Sequence, residues 1–227
     1  MYNLAVEERK LKIKTNLENF NVQNDRYKKD HFGVSELVFC PKKSYFIRSG
    51  SQIPKPNGRM ITGTLFHELI PCAIKELDGV TNPKFEQECK TEITDEFGTY
   101  TITGHSDVLC DEKVVEFKFT KIWKRKPISE YYFHQANAYA FLQDRGEYEV
   151  VVVDKDNLQI ELFNGTTDKK KFEDVVLTNA RLAWEAVNTG IPPSVGPMYD
   201  WECKYCEFVT ECKSKKTDDA MRLAGII

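Results

Sequence analysis

Two acidic residues and a lysine near the middle of the chain have the types and spacing for metal-assisted chemistry. Asp107 is followed nine positions later by a Glu-x-Lys triplet, Glu116 to Lys118. Two carboxylates and a backbone carbonyl can form an oxygen-rich site for Mg²⁺ or Mn²⁺, while a lysine stabilises charge or orients water. This chemistry is suited to phosphodiester hydrolysis. The alternative is that Glu116 and Lys118 are ordinary cross-strand partners on a half-exposed sheet.

Three other polar residues could extend this group. His67 follows Gly63 by one helical turn and can bind a metal when its imidazole is neutral, so activity should fall below about pH 6.5. Gln135 and Tyr139 are four residues apart and share one helix face, where they could bind a phosphate or hold a catalytic residue. The alternatives are a surface histidine and a polar edge beside the apolar stripe of a helix.

The hydrophobic pattern around these residues predicts a mixed α and β protein. β-Branched and aromatic residues indicate an antiparallel meander of three strands, Lys84–Thr94, Thr99–Leu109 and Lys113–Phe119. Because side chains alternate along a strand, Glu116 and Lys118 should share one face, while Val115, Phe117 and Phe119 share the other. The last strand is thus expected to carry the chemistry on one face and apolar packing on the other.

Helices and a second pair of strands complete the predicted organisation. A helix near Ser35 should break at Cys40-Pro41 and then resume, and a second helix should begin at Thr62-Gly63. The apolar stripe of this second helix is predicted to be Leu65, Phe66, Leu69, Ala73 and Leu77. The remaining elements are a helix over Pro127–Gln143, strands over Val150–Val153 and Gln159–Phe163, and a helix from Asp168 to Asn188 that ends at Gly190.

Composition excludes several classes of protein. The 227 residues are 41% hydrophobic, which argues against disordered and fibrous chains and favours one main domain. The longest apolar run, Ala138 to Leu142, is far too short to span a membrane. Met1 to Lys14 has no apolar stretch of the kind that a secretory signal needs, so a cytoplasmic location is expected.

Positive charge is concentrated in one short segment. The formal net charge is −3, which argues against a protein that coats nucleic acid with its whole surface. A basic stretch that follows Lys118 could instead track a DNA backbone locally, with an indole to stack on a base. This candidate DNA-binding segment contains Lys121, Trp123, Lys124, Arg125 and Lys126. The alternative is an ordinary solvated basic loop.

Cysteines are clustered near the end of the chain. Cys203, Cys206 and Cys212 lie within ten residues, a spacing that can enclose one metal ion or cluster. Cys40 is the best candidate for a fourth ligand, which requires two distant segments to meet. The other three cysteines, Cys72, Cys89 and Cys110, are expected to be buried apolar residues. A zinc site with four thiolates and a set of unligated thiols are the alternatives.

The order Gly63-x₃-His67, Asp107, Glu116-x-Lys118, Gln135-x₃-Tyr139 resembles the RecB-like branch of the restriction-endonuclease-like nuclease superfamily. One departure is Ser106, where many restriction enzymes have proline before the first acid. The resemblance implies an α/β nuclease core in which helices flank a mixed sheet. It also implies that His67, Asp107, Glu116 and the Phe117 carbonyl bind Mn²⁺ or Mg²⁺, that Lys118 is catalytic, and that Gln135 and Tyr139 complete the site.

One cysteine before these motifs and three after them resemble the iron–sulfur arrangement of CRISPR-associated Cas-four exonucleases and AddB-type helicase-nucleases. The segment from Ser35 through Cys40-Pro41 to Tyr45 fits the Cas-four family or a viral or mobile-element relative. The resemblance implies a 4Fe-4S cluster, with 2Fe-2S as the other form in the family, on Cys40, Cys203, Cys206 and Cys212. It implies one domain over residues 1–227, in which residues 31–60 and 191–214 together form an iron–sulfur subdomain.

The function implied by this resemblance is metal-dependent hydrolysis of DNA, mainly single-stranded. The expected activity is a 5′-to-3′ exonuclease, with endonuclease activity left open, in CRISPR spacer acquisition beside integrase proteins or in DNA-end processing. Relatives form homo-oligomers, and no residue here decides the oligomeric state. The first alternative is a non-catalytic DNA-end-binding or assembly module of an integrase complex. The second alternative is a zinc-stapled DNA-binding protein.

Overall fold

The computed structural model describes residues 28–50, 58–74, 81–122 and 127–213, together with Lys12. The strands are β1 His31–Gly33, β2 Lys84–Asp95, β3 Gly98–Leu109, β4 Lys113–Thr120, β5 Glu147–Asp154 and β6 Ile160–Thr166. The helices are α1 Val34–Leu37, α2 Pro41–Arg48, α3 Gly58–His67, α4 Ile70–Ile74, α5 Glu130–Leu142, α6 Lys169–Lys171, α7 Thr178–Thr189 and α8 Trp201–Lys204, with a π-helical segment Phe172–Leu177 between α6 and α7. Within the described residues, no helix has the length and apolar character needed to cross a membrane.

The strands form a mixed sheet in the order β1-β3-β4-β5-β6, with β2 also paired to β3. β4 and β5 are parallel over their whole length, whereas β3 with β4 and β5 with β6 are antiparallel. Parallel neighbours need a crossover connection, and α5 lies in the connection between β4 and β5. The mixed sheet flanked by helices confirms the predicted fold class.

The chain divides into two compact units. Among the described residues, the first comprises residues 58–74, 81–89, 105–122 and 127–168, and the second comprises residues 28–50, 90–104 and 169–213. All seven candidate residues of the nuclease motifs, from His67 to Tyr139, belong to the first unit. The four candidate cluster cysteines, from Cys40 to Cys212, belong to the second.

In the first unit, one face of β4 packs into an apolar cluster, as its alternation predicts. Val115 and Phe117 are buried there, together with residues of α4, β3 and β5. Phe119 on the same face stacks on Phe66 of α3, with ring centroids 4.2 Å apart. The opposite face of β4 carries Glu116 and Lys118 beside the buried Val114.

The predicted stripe on the helix after Thr62 is partly wrong. Leu65 and Leu69 are 49% and 57% exposed, whereas Ile70 and Ile74 are buried. The helix is interrupted after His67 and resumes at Ile70, so the periodicity of a single continuous helix does not apply. Leu77 lies outside the described residues.

In the second unit, α2 packs against α7 and the segment that follows it. Tyr45 and Phe46 are buried with Ala186 and Phe208, and the rings of Phe46 and Phe208 stack at 5.7 Å. α2 begins after Cys40 with Pro41 in the first turn. An N–H at this position has no partner within the helix, so proline costs no hydrogen bond there. α7 ends at Gly190 in the left-handed conformation, with φ +74°, as predicted.

Candidate active site

Asp107 and Glu116 lie where β3 and β4 stop pairing through their backbones. The antiparallel register joins Val108 to Val115, and its continuation sets Asp107 opposite Glu116. At this point the Phe117 N–H donates to Asp107 Oδ2 at 2.6 Å, so a side-chain carboxylate replaces a strand carbonyl. Both acidic side chains are buried. Each carboxylate is therefore fixed by the sheet before any ligand binds.

Lys118 links the acidic pair to α5. Its Nζ donates to Glu116 Oε1 at 2.6 Å and to Gln135 Oε1 at 2.9 Å. The Gln135 amide in turn donates from Nε2 to the Tyr139 hydroxyl at 3.1 Å, and the Tyr132 ring lies 5.6 Å from the ammonium. The structure thus brings Glu116, Lys118, Gln135 and Tyr139 into one hydrogen-bonded chain.

His67, the last residue of α3, completes the group from the other side of Asp107. Its Nδ1 lies 2.9 Å from Asp107 Oδ1 and 3.7 Å from an oxygen of Glu86. The ligand atoms of His67, Glu86 and Asp107 all lie within 4.8 Å of one another. Glu86, on β2, is absent from the sequence prediction because no motif distinguishes it from the other acidic residues of that polar strand.

The electrostatics of the group reflect an excess of buried negative charge. Burial and the neighbouring Asp107 raise the pKa of Glu116 above its usual range, and Lys118 opposes this shift. Hydrogen bonds to Asp107 and then to Glu86 raise the pKa of His67 to about 10. In the metal-free protein, His67 therefore carries a proton that a metal ion must displace.

The donor set fits a divalent cation. Within the described residues, Glu116 Oε2 is buried and has no hydrogen-bond partner, the state expected of an oxygen reserved for a ligand. Carboxylate oxygens suit Mg²⁺ and Mn²⁺, and an imidazole nitrogen adds a donor that Mn²⁺ accepts readily. The contact of Phe117 with Asp107 is made by its N–H and not by its carbonyl. Metal binding by the Phe117 carbonyl therefore stays a prediction.

The candidate DNA-binding segment is described only at its start. Lys121 Nζ lies 2.7 Å from an oxygen of Asp156, and both side chains are about half exposed. This ammonium is already paired on the surface. Trp123, Lys124, Arg125 and Lys126 lie outside the described residues, so DNA binding by this segment stays a prediction.

The segments that carry the candidate cluster cysteines meet in the second unit. The Cys40 N–H donates to a carboxylate oxygen of Glu202, the neighbour of Cys203, at 3.1 Å. Cys206 and Cys212 are partly buried against the cluster that contains Phe46 and Phe208. Burial raises the pKa of the Cys40 and Cys206 thiols, so binding of a metal or cluster must release their protons.

The other three cysteines follow the sequence prediction in part. Cys89 and Cys110 are buried, as expected, with 5% and 3% exposure. Cys72 is exposed, so its predicted burial is wrong. It lies on α4, which turns Ile70 and Ile74 rather than Cys72 toward the apolar cluster.

The chain is similar to known nucleases in sequence and in fold, although no protein-family model matches it. It is 25% identical to the CRISPR-associated exonuclease Cas4 of Saccharolobus solfataricus over 218 residues, which cover 92% of this chain and 96% of that protein. The solved structure of SSO0001 covers 89% of this chain, and 94% of SSO0001 is matched, with 23% identity and a TM-score of 0.62.

A second solved structure shares the fold at lower identity. The alkaline exonuclease LHK-Exo from Laribacter hongkongensis has 15% identity and a TM-score of 0.50, with 71% of this chain and 90% of LHK-Exo covered. At these identities the solved structures show the fold alone. The curated relative adds sequence similarity over nearly the whole chain. Over nearly its whole length the chain is therefore similar to a CRISPR-associated exonuclease, in agreement with the resemblance that its motifs carry.

Proposed function

We propose that this protein is a divalent-metal-dependent deoxyribonuclease that acts mainly on single-stranded DNA as a 5′-to-3′ exonuclease. The observation that carries the proposal is the buried chain from Glu116 through Lys118 to Gln135, beside Asp107 and His67. The names of the two relatives, a CRISPR-associated exonuclease and an alkaline exonuclease, support a nuclease. Direction and strand preference come from the family resemblance.

His67, Asp107, Glu116 and the Phe117 carbonyl would hold the Mn²⁺ or Mg²⁺ ion. A bound ion would activate a water and screen the charge that develops on the scissile phosphate. Asp107 can present Oδ1 to the ion while Oδ2 stays on the Phe117 N–H. Glu116 can present its unpartnered Oε2 while Oε1 stays on Lys118. Each carboxylate would thus bind the ion through one oxygen and be positioned by the hydrogen bond to its other oxygen.

Lys118 would stabilise the reacting phosphate or orient the attacking water. An ammonium has three N–H donors, and in the described contacts Glu116 and Gln135 accept two of them. The third donor is left for a water or a phosphate oxygen. Tyr139 accepts from Gln135, which fixes the amide so that its oxygen faces Lys118. Gln135 and Tyr139 therefore act on the reaction by positioning the ammonium.

A 4Fe-4S cluster, or a 2Fe-2S cluster as the other form, would be held by Cys40, Cys203, Cys206 and Cys212. Four thiols in one unit are a donor set for iron, and the Cys40–Glu202 contact supports their approach. The cluster would act as a staple that contributes folding free energy, as structural metals do. Brown colour and broad absorbance in anaerobic preparations would distinguish iron–sulfur from zinc.

The biological setting is proposed from the relatives alone. A role in CRISPR spacer acquisition beside integrase proteins fits the CRISPR-associated name of the curated relative, and DNA-end processing is the broader form of the same role. Single-stranded DNA is the proposed substrate, and the basic segment from Lys121 to Lys126 is proposed to bind its backbone.

The test is degradation of single-stranded oligonucleotides labelled at either end, with Mn²⁺, Mg²⁺ or a chelator. Anaerobically purified wild type is compared with Lys118→Ala and with the control Lys113→Ala. Lys113 lies on the same strand as Lys118 and forms an ion pair with Glu149 of β5. We expect metal-dependent loss of the 5′ label, a rate about 10²–10⁴-fold lower for Lys118→Ala, and little change for Lys113→Ala. Tight DNA-end binding without cleavage would instead support a non-catalytic module of an integrase complex.

A further inference from the structure

We propose that Glu86 is a further ligand of the candidate metal site, on its solvent side. This inference rests on the proposed function, because it adds a residue to the same metal site. Glu86 belongs to no motif of the sequence analysis. It comes from β2, whereas the predicted acidic ligands come from β3 and β4.

Geometry gives the first reason. A carboxylate oxygen of Glu86 lies 3.7 Å from His67 Nδ1, and the ligand atoms of His67, Glu86 and Asp107 are mutually within 4.8 Å. The buried, unpartnered Oε2 of Glu116 is an independent sign that this group is arranged for a cation. A cation at this position would therefore meet the carboxylates of Glu86 and Asp107 and one imidazole, beside the buried Glu116.

The backbone of β2 gives the second reason. Glu86 has φ +48°, a left-handed conformation that is uncommon for residues other than glycine. Such a kink within a strand re-aims a side chain, and strained backbone is concentrated at functional sites. A glycine would adopt this conformation without strain, but it would place no carboxylate beside His67.

A single side chain holds the backbone next to both acids. Gln143 Nε2 donates to the carbonyl of Gln87 at 3.1 Å, and Ser106 Oγ donates to Gln143 Oε1 at 3.1 Å. Gln87 follows Glu86 in the chain, and Ser106 precedes Asp107. The amide of Gln143 therefore ties β2 to β3 at the two residues whose carboxylates face His67.

Exposure indicates what Glu86 contributes. Its side chain is 58% exposed, whereas that of Asp107 is 5% exposed. A ligand on the solvent side adds negative charge and affinity, while the buried ligands orient the ion. Loss of Glu86 should therefore weaken metal binding more than it slows hydrolysis once the metal is saturating.

The test is a calorimetric titration of Mn²⁺ into the metal-free full chain with its cysteine-bound cluster intact. Glu86→Gln should raise the dissociation constant about tenfold or more, the size seen when groups around a metal site are lost. Glu88→Gln is the matched control, because Glu88 is an exposed acid two residues along the same strand, and it should change nothing. A Glu116→Gln variant provides the reference for loss of a buried ligand.

A second variant separates a ligand from a merely structural residue. Glu86→Gly should melt at a higher temperature than Glu86→Gln, because glycine relieves the positive φ while both variants lose the carboxylate beside His67, and both should weaken Mn²⁺ binding. If Glu86 had only a structural role, Glu86→Gly would lower the melting temperature and the Mn²⁺ affinity together. Unchanged Mn²⁺ affinity in Glu86→Gln, alongside loss of binding in Glu116→Gln, would overturn this inference alone. Absence of Mn²⁺ binding by the wild type would overturn the proposed metal site as well.

Discussion

The candidate active site and the cysteine region are held together in different ways. In the active site the functional side chains bond to one another: Asp107 to His67, and Lys118 to Glu116 and Gln135. In the cysteine region, the two segments are joined by the backbone of Cys40 and by neighbours of the cysteines. These contacts include the Cys40 N–H with Glu202, the ion pair of Lys43 with Glu207, and the stacked rings of Phe46 and Phe208.

This difference indicates how far the structure of each region would depend on a bound metal ion or cluster. The active site is already built by a strand pair, a helix and their hydrogen bonds, so a metal ion would complete it without assembling it. The cysteine region brings together the segments that carry the thiols and holds them through packing, so a cluster would supply the bonds that join the thiols. Removal of the ion should therefore leave the structure intact, whereas removal of the cluster should destabilise it.

The largest expected effect comes from Glu116→Gln. This change removes a carboxylate from the candidate metal site and from Lys118 while it keeps the shape of the side chain. We expect the rate of oligonucleotide hydrolysis to fall about 10³-fold with an unchanged far-UV circular dichroism spectrum. The matched control is Glu149→Gln, which loses its ion pair to Lys113. An equal loss of activity in the control would show that the effect is structural.

The next effect is on the cysteine region. Cys206→Ser should abolish the cluster absorbance and lower the melting temperature by roughly 10 °C, as expected for a loss of about 3 kcal/mol in a chain of this size. The exposed Cys72→Ser serves as the control and should retain both properties. A colourless but equally stable Cys206→Ser protein would contradict the role of the cluster as a staple.

The raised pKa of His67 predicts how metal binding depends on pH. A metal ion must displace a proton that Asp107 and Glu86 hold up to about pH 10, so Mn²⁺ affinity should rise by about tenfold per pH unit from pH 6.5 to 8.5. The raised pKa has the opposite consequence for the stability of the metal-free protein. The stabilisation by protonated His67 is complete below pH 6.5 and disappears as the pH rises through about 10. Titration calorimetry at several pH values measures the first effect, and a pH-independent affinity would remove His67 from the ligand set.

The smallest effect is expected for Gln143, which acts on the acids through their neighbours. Gln143→Ala removes the contacts to Gln87 and Ser106, and Mn²⁺ affinity should fall about tenfold. Asn137→Ala is the control: it lies on α5, the helix that Gln143 follows, and its amide bonds two backbone groups of Asp168. Both changes should lower the melting temperature, but only Gln143→Ala should alter Mn²⁺ affinity. If both lower it equally, Gln143 has no specific positioning role.

Much of the site could be predicted because its residues lie on regular elements. The alternation of β4 assigned Glu116 and Lys118 to one face, and the four-residue spacing set Gln135 beside Tyr139 on α5. The boundaries of β2, β3 and β4 match the predicted strands to within one residue. In these elements local periodicity and tertiary packing favour the same arrangement.

The rest depends on features that periodicity does not report. Leu65 and Leu69 were expected in the core, but the interruption after His67 changes which residues of the helical segment are buried. The place of Glu86 depends on a positive φ inside a strand, and a polar sequence gives no sign of such a kink. The three-residue strand β1 is too short to have a pattern of its own and exists through its pairing with β3.

The most direct test of a preassembled metal site for DNA hydrolysis uses Asp107→Asn. Asp107 joins His67 to the Phe117 N–H and is nearly buried, so this isosteric change should remove one charge from the centre of the site. Mn²⁺ occupancy and hydrolysis of a single-stranded oligonucleotide are measured on the same anaerobic samples of wild type and variant. We expect the folded variant to lose both. Retention of metal-dependent hydrolysis by Asp107→Asn would contradict this expectation.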